Sequence, residues 1–278
     1  MSVKNLVVLN IAGYKFEPLD DVEVLIPEFQ SVCDNLELKG SVYLSPKGIN
    51  FSLAGSEEAV KQYLYFMEQD ERFLDIHSKR TYSETQPFRR MKVRLKKEII
   101  SLGRDDINPK ELTGEYISPR ELFEMYENKE DVIVLDTRNE YETRVGAFEN
   151  AIDLQLDTFR DFPEAVESLP EEYKDKQIVM YCTGGIRCEK ASAVMMKAGF
   201  ADVKQLDGGV LEYFKETGGA YWEGDCFVFD ERVALDKELN ETEYIYCYIC
   251  REPLSAKEKA SPDFKINEHC PYCIDSSF

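Results

Sequence analysis

Short apolar runs alternate with amphipathic stretches over the first hundred residues. Leu6 to Ile11, Leu38 to Leu44, Ile49 to Leu53 and Met91 to Ile100 have the length and apolar density of strands. Val22 to Cys33 and Ser56 to Gln69 carry apolar residues at helical spacing instead. The second of these opens with Ser56 at the N-cap position and Glu57 and Glu58 in its first turn. The order β-α-β-β-α-β predicts a ferredoxin-like α+β unit over residues 1–104. Residues 105–116 have the composition of a linker, within a stretch from Ser101 to Tyr116 that holds Gly103, Asp105, Asp106, Pro109 and Gly114.

From residue 117 the pattern changes. Ser118-Pro119 opens a helix through Tyr126, and Val132 to Leu135, Ala151 to Leu154, Ile178 to Tyr181 and Val203 to Leu206 read as short strands. Helical segments at Phe162 to Leu169, after Ile186, and at Val210 to Glu216 lie between or after them. Short apolar strands alternating with helices predict a parallel α/β sheet covered on both faces over residues 117–219. Functional residues in such sheets sit at the carboxyl ends of strands, which is where Cys182 falls. Residues 220–278 form a cysteine-rich extension, with Trp222, Cys226, Phe227 and Phe229 ahead of two close cysteine pairs.

Composition sharpens this picture. At 278 residues, with 43% hydrophobic and 12% aromatic residues, the chain can bury more than one core, and no apolar run is long enough to span a membrane. Met1 to Tyr14 lacks a secretory n-region and cleavage site and reads as a first strand, which predicts a cytoplasmic protein. Acidic and basic residues balance through residue 104, so the net charge of −20 belongs to the remainder. Between Lys79 and Lys97, however, Lys79, Arg80, Arg89, Arg90, Lys92, Arg94, Lys96 and Lys97 face only Glu84. Alternation with Val93 and Leu95 puts Lys92, Arg94 and Lys96 on one strand face. The stretch is either an edge strand protected by its charges or a phosphate-binding surface, in which Arg89, Arg90, Lys92, Arg94 and Lys96 contact RNA and Tyr82 or Phe88 stacks on a base.

The candidate chemistry lies in two cysteine groups. Cys182 ends an apolar strand, and Thr183, Gly184, Gly185, Ile186 and Arg187 lead into a helix. A sulfur there lies in a cup of backbone N–H groups at a helix N-terminus, where unpaired donors and the helix dipole favour an anion. Cys188 is either a resolving thiol or a small residue in the first helical turn. Arg187 either supports the anion or braces the loop against a carboxylate such as Asp136. In the extension, Cys247-x-x-Cys250 and Cys270-x-x-Cys273 have zinc-ribbon spacing, which favours structural Zn2+ over redox disulfides or iron. His269 is surplus to a four-cysteine site.

Cys-Thr-Gly-Gly-Ile-Arg, with the upstream Asp136-Thr137-Arg138, Glu140 and Gly146-Ala147-Phe148-x-Asn150-Ala151, resembles the active-site loop and signature of rhodanese domains. That resemblance implies a persulfide on Cys182, cradled by Thr183, Gly184, Gly185, Ile186 and Cys188 and supported by Asp136 and Arg138. Four residues separate Cys182 from Arg187, one fewer than in the related cysteine phosphatases, and the tighter loop suits an extra sulfur better than a phosphate.

The whole order resembles more. Lys47-Gly48-Ile49-Asn50, Leu53-Ala54-Gly55-Ser56, Pro87 to Ile100 and Gly224 to Val233 are similar to a bacterial family of oxygen-dependent tRNA uridine hydroxylases with a ferredoxin-like domain, a rhodanese domain and a cysteine-bearing tail. Membership implies conversion of the wobble uridine of tRNA to 5-hydroxyuridine with molecular oxygen and an essential Cys182. Alternative readings are a sulfurtransferase carrying a Cys182 persulfide to a thiol or RNA acceptor, and a non-catalytic RNA-binding adaptor. His77 and His269 are the only histidines, too few for a two-histidine, one-carboxylate iron site, and no flavin or dinucleotide motif is present.

Overall fold

The structure, a computed structural model, describes residues 7–275. Its first unit contains β1 (Val8–Lys15), α1 (Val22–Asn35), β2 (Lys39–Ser45), β3 (Gly48–Gly55), α2 (Glu57–Glu68), β4 (Lys79–Ser83) and β5 (Met91–Leu95). Ser56 caps α2 by accepting from the Ala59 N–H at 3.1 Å, as its sequence position predicts. The sheet order is β4-β1-β3-β2-β5, so the ferredoxin-like arrangement is present with one strand added. Here the sequence reading needs correcting. The fourth ferredoxin strand is Lys79–Ser83, and Met91–Leu95 is a fifth, edge strand running parallel to β2. The two strands lie on opposite edges of the sheet, and the short, charged Lys79–Ser83 lacks the apolar density that marks Met91 to Ile100 as a strand. Leu6, where the first predicted strand begins, lies outside the described residues.

One face of this sheet carries Leu9, Ile11, Val42, Leu44, Ile49, Phe51 and Leu53, packed against both helices. Because side chains alternate across a strand, Asn10, Ala12, Tyr14, Ser41, Tyr43, Asn50 and Ser52 lie on the other face. No helix of the first unit covers them, and the second unit does.

That second unit holds β6 (Glu115–Ile117), α3 (Pro119–Asn128), β7 (Ile133–Asp136), α4 (Glu140–Thr143), β8 (Gly146–Phe148), β9 (Ile152–Asp153), α5 (Phe162–Glu167), β10 (Gln177–Tyr181), α6 (Ile186–Lys197), β11 (Asp202–Leu206) and α7 (Gly209–Thr217). Five strands in the order β6-β11-β10-β7-β9 pair in parallel, with β10 at the centre. One apolar core lies on each side of the sheet, as the alternation of elements predicts. The polar stretch before β6 is no open tether: Leu102 and Ile107 are buried in the second unit's core. Composition concealed this, because those two side chains are spaced among charged residues and glycines.

Helix α6 explains how the units meet. Its residues from Arg187 to Met195 are all buried, including Glu189, Lys190 and Ser192, which an amphipathic helix would turn to water. Lys190 instead reaches Glu98 at 2.5 Å and the Ile100 carbonyl at 3.2 Å, while Ser192 accepts from the Gly114 N–H at 2.8 Å. The extension follows with β12 (Trp222–Gly224), which pairs with β8, then β13 (Cys226–Phe227) with β14 (Ala234–Leu235), β15 (Ile245–Tyr246) with β16 (Pro253–Leu254), and α8 (Ala256–Lys259). Among the described residues, no helix is long and apolar enough to cross a membrane.

Candidate functional site

Cys182 immediately follows β10, and the chain turns through Thr183, Gly184 and Gly185 into α6. Gly185 has φ +93°, and a Cβ there would lie 3.1 Å from the Tyr14 hydroxyl. The Cys182 and Thr183 carbonyls accept from the N–H groups of Val210 and Leu211, in the first turn of α7, at 3.1 and 3.3 Å. This contact needs Gly209, because a Cβ at that position would come within 2.4 Å of the Cys182 oxygen. With its carbonyls held on one side, the loop turns its N–H groups toward the sulfur, and Gly185 N–H donates to Cys182 Sγ at 3.1 Å.

Burial by itself would push the Cys182 thiol up. The Cys188 thiol, the Arg187 guanidinium and the loop N–H groups outweigh it and bring the pKa down to about 5. Cys188, packed 3.7 Å from the Thr137 hydroxyl, is pushed well above the usual thiol range by burial and by the Cys182 charge. Cys226 is fully buried, and its thiol is pushed up to about 12. One sulfur near the loop is therefore ionised, with two protonated neighbours.

Arg187 does not pair with Asp136. Its terminal nitrogens donate to the two Glu142 oxygens at 2.5 and 2.7 Å, and both side chains are almost completely buried. Asp136 holds Arg138 instead, at 2.6 to 3.1 Å, and Arg138 also donates to the Gly146 carbonyl and lies over the Tyr181 and Trp222 rings. Asp136 and Arg138 thus brace the strand ends beneath the loop. Sequence reasoning missed Glu142, although it carried a signal. The Asn139 N–H donates to Glu142 at 3.1 Å, and Asn-x-x-Glu after a strand is a helix-start pattern that places the carboxylate at the sheet's carboxyl edge.

A cavity of about 580 Å³ separates the loop from the uncovered face of the first sheet. Cys182, Thr183, Gly184, Ile186 and Arg187 line one wall, while Asn10, Tyr14, Tyr43, Ser52, Lys79 and Thr81 line the other. Phe229, Asp230 and Arg232 of the extension also border it. Glu189, one turn into α6, accepts from Tyr14 of the first sheet at 3.0 Å and from Tyr116 and Thr113 of the second unit at 2.6 and 3.0 Å.

The basic residues divide between separate places. Lys92 and Arg94 are in register with Ser41 and Tyr43, so they extend the cavity face of the sheet toward its edge. The Lys96 ammonium lies 5.1 Å from the Tyr43 ring centroid and borders the cavity. Arg89 and Arg90 are exposed, Arg89 with its guanidinium 3.0 Å from Glu231. Tyr82, in register with the core residue Leu9, lies on the far face of the sheet and cannot stack on a base in the cavity. Phe88 is partly buried and does not border the cavity. Tyr14, Tyr43, Phe159 and Phe229 supply aromatic lining instead.

In the extension, the sulfurs of Cys247, Cys250, Cys270 and Cys273 all lie within 4.8 Å of one another. Individual separations are 3.5 Å for Cys250 and Cys270, 3.7 Å for Cys270 and Cys273, and 3.9 Å for Cys247 and Cys273. Four thiolates about 2.3 Å from one ion have sulfurs about 3.8 Å apart, so the four can hold a metal ion in a closed tetrahedron. His269 is turned to the Asp263 carbonyl at 2.9 Å, outside that set.

Comparison with known proteins agrees with this architecture. Residues 8–99 match the UPF0176 acylphosphatase-like domain, and residues 118–216 match the rhodanese-like domain. Proteins named tRNA uridine(34) hydroxylase from Cupriavidus pinatubonensis and Cupriavidus necator are each 43% identical to the chain, covering 96% and 97% of both partners. One of the same name from Burkholderia cenocepacia is 38% identical over 98% of this chain and 99% of its own. The chain belongs to the tRNA uridine(34) hydroxylase family.

Proposed function

We propose that the chain hydroxylates the wobble uridine of tRNA to 5-hydroxyuridine in the cytoplasm, with molecular oxygen as co-substrate. The observation that carries this reading is the cavity. An ionised Cys182 faces a polar sheet wall across a space of the size that holds a nucleoside, and Lys92, Arg94 and Lys96 lead from that wall to solvent. A base attached to RNA reaches such a space by leaving its stack, while its flanking phosphates stay on the basic edge. Arg89, Arg90, Lys92, Arg94 and Lys96 are assigned to tRNA binding. Cys182 is assigned as the reacting residue. Thr183 to Ile186 and Cys188 form its cradle, and Arg187, held by Glu142, provides a fixed positive charge beside it.

Zn2+ on Cys247, Cys250, Cys270 and Cys273 would be structural, since four protein sulfurs leave no open position. It would fix a tail that the Arg144 guanidinium anchors, paired with Glu252 and stacked 4.4 Å from the Tyr272 ring.

The test is mass spectrometry of tRNA nucleosides from cells lacking the gene and from cells rescued with wild type or Cys182→Ser. Loss of 5-hydroxyuridine derivatives, restored by wild type and not by the variant, is expected. Unchanged nucleosides on deletion overturn the reading. The N–H cradle around Cys182 also favours one other activity, persulfide transfer, and loss of thiolated nucleosides would select it. Full rescue by Cys182→Ser would select a non-catalytic RNA-binding role.

A further inference from the structure

Cations buried around the cavity each have a carboxylate of their own: Arg187 has Glu142, Arg138 has Asp136, Arg232 has Asp230, and Lys190 has Glu98. Lys79 does not. Among the described residues no hydrogen bond or ion pair holds its ammonium, which lies 5.0 Å from the Tyr14 ring centroid. Its stem passes the loop, with Cδ 3.9 Å from where a Cβ on Gly184 would be. It is in register with Ala12, on the cavity face of β4, whereas its neighbour Arg80 is in register with the core residue Ile11 and lies on the other face. Lys79 thus leaves the basic stretch that precedes β5 and turns inward, beside the thiol-bearing loop and into the same cavity as Cys182.

We propose that Lys79 is a further substrate-contacting residue of this site: its ammonium is the counter-charge to the Cys182 thiolate and the donor to a carbonyl oxygen of the pyrimidine base held between them. The proposal rests on the hydroxylase reading for the identity of the base. A partly buried cation with no carboxylate in contact has given up hydration without a partner, so its place favours an anion or a strong acceptor in the same cavity. Cys182 is the ionised group on the facing wall. Burial pulls the Lys79 pKa down, and the negative charges of Cys182, Asp207, Glu212 and Glu189 oppose that pull. Uracil presents two carbonyl oxygens, and addition of a nucleophile at C6 breaks the C5–C6 π bond and moves its electron pair through C4 onto O4. An ammonium within reach of that oxygen stabilises the developing charge more than the ground state, the role for which a single donor contributes about a hundredfold in rate.

The test compares wild type with Lys79→Gln and Lys79→Arg in the full-length protein. Single-turnover formation of 5-hydroxyuridine on tRNA is followed with tRNA affinity measured separately. Lys79→Gln is expected to slow the step about a hundredfold with affinity kept within a factor of two, and Lys79→Arg to recover part of the rate. An unchanged rate in Lys79→Gln, or a loss confined to tRNA affinity, overturns the proposal.

A second measurement needs no hydroxylation. The apparent pKa of Cys182 is read from the pH dependence of its alkylation, with mass spectrometry locating the label. The groups that face Cys182 and Lys79 from the packed elements are Arg187, Cys188, Tyr14, Glu189, Asp207 and Glu212. Removing the Lys79 charge is expected to raise the Cys182 value by about one unit. An unmoved value refutes the counter-charge. If wild type itself makes no 5-hydroxyuridine while the Cys182 value moves as expected, the hydroxylase reading fails and the Lys79 contact stands.

Discussion

Arg187 is joined to Glu142 through two charge-assisted hydrogen bonds of 2.5 and 2.7 Å, buried between the thiol-bearing loop and the short helix α4. The arginine closest to the reacting sulfur is therefore fixed in place, and its positive charge reaches Cys182 without its fork being free to grip a ligand. Replacing Glu142 by Gln leaves a buried guanidinium half-matched. We expect a loss of about 3 kcal/mol in urea unfolding, together with loss of nucleoside modification. A second change, Arg187→Met, should restore part of that stability and none of the activity, which distinguishes bracing from chemistry.

The depressed Cys182 pKa makes reactivity selective. Near neutral pH, iodoacetamide should label Cys182 ahead of Cys188, Cys226 and Cys33. Burial holds the last two near 12, and burial with the adjacent Cys182 charge raises Cys188. Stability follows the same group. Its folded pKa, about 5, lies below the ordinary 9.0, so ionisation favours the folded chain above the ordinary value, and that contribution is lost as pH falls toward 5. Wild type should therefore exceed Cys182→Ser in urea midpoint by a margin that shrinks as pH falls through this window.

Salt dependence checks the basic edge. Binding of tRNA should weaken linearly in log–log form as salt rises, and Arg94→Glu should reduce affinity about tenfold at low salt with a shallower slope. Arg89 is already opposed by Glu231 at 3.0 Å, so Arg89→Gln should have a smaller effect than Arg94→Gln in the same filter-binding assay. Equal effects would place the RNA across the extension as well.

Metal analysis checks the cysteine tail. The purified protein should carry one zinc ion per chain, lost in Cys250→Ser or on strong chelation. Thermal unfolding of the extension should then separate from that of the remainder.

Much of the fold was legible because its signals are local. Ser56 and Ser118 cap the helices they precede, and β10 delivers Cys182 at a strand end because Ile178 to Tyr181 is an uninterrupted apolar run. The thiol loop and the paired Cys-x-x-Cys knuckles were legible for the same reason. What escaped depends on contacts distant in sequence. Nothing near Lys79 distinguishes it from Arg80; only the facing of β4 against a loop a hundred residues later separates them. Glu142 was overlooked because its partner lies across the strand ends, and β4 was missed as a strand because its charged and polar residues hide the apolar alternation.

Helix α6 has a consequence for how the chain can be cut. Glu189 ties a phenol from the first sheet to a phenol and a hydroxyl from the second unit, one turn beyond the sulfur. Excising residues 117–219 would preserve the loop in outline. It would also strip Glu189, Lys190 and Ser192 of their partners and remove the wall opposite Cys182. The two domains share one site: the second supplies the cradle and the first the facing wall, so the setting of the thiolate belongs to neither alone.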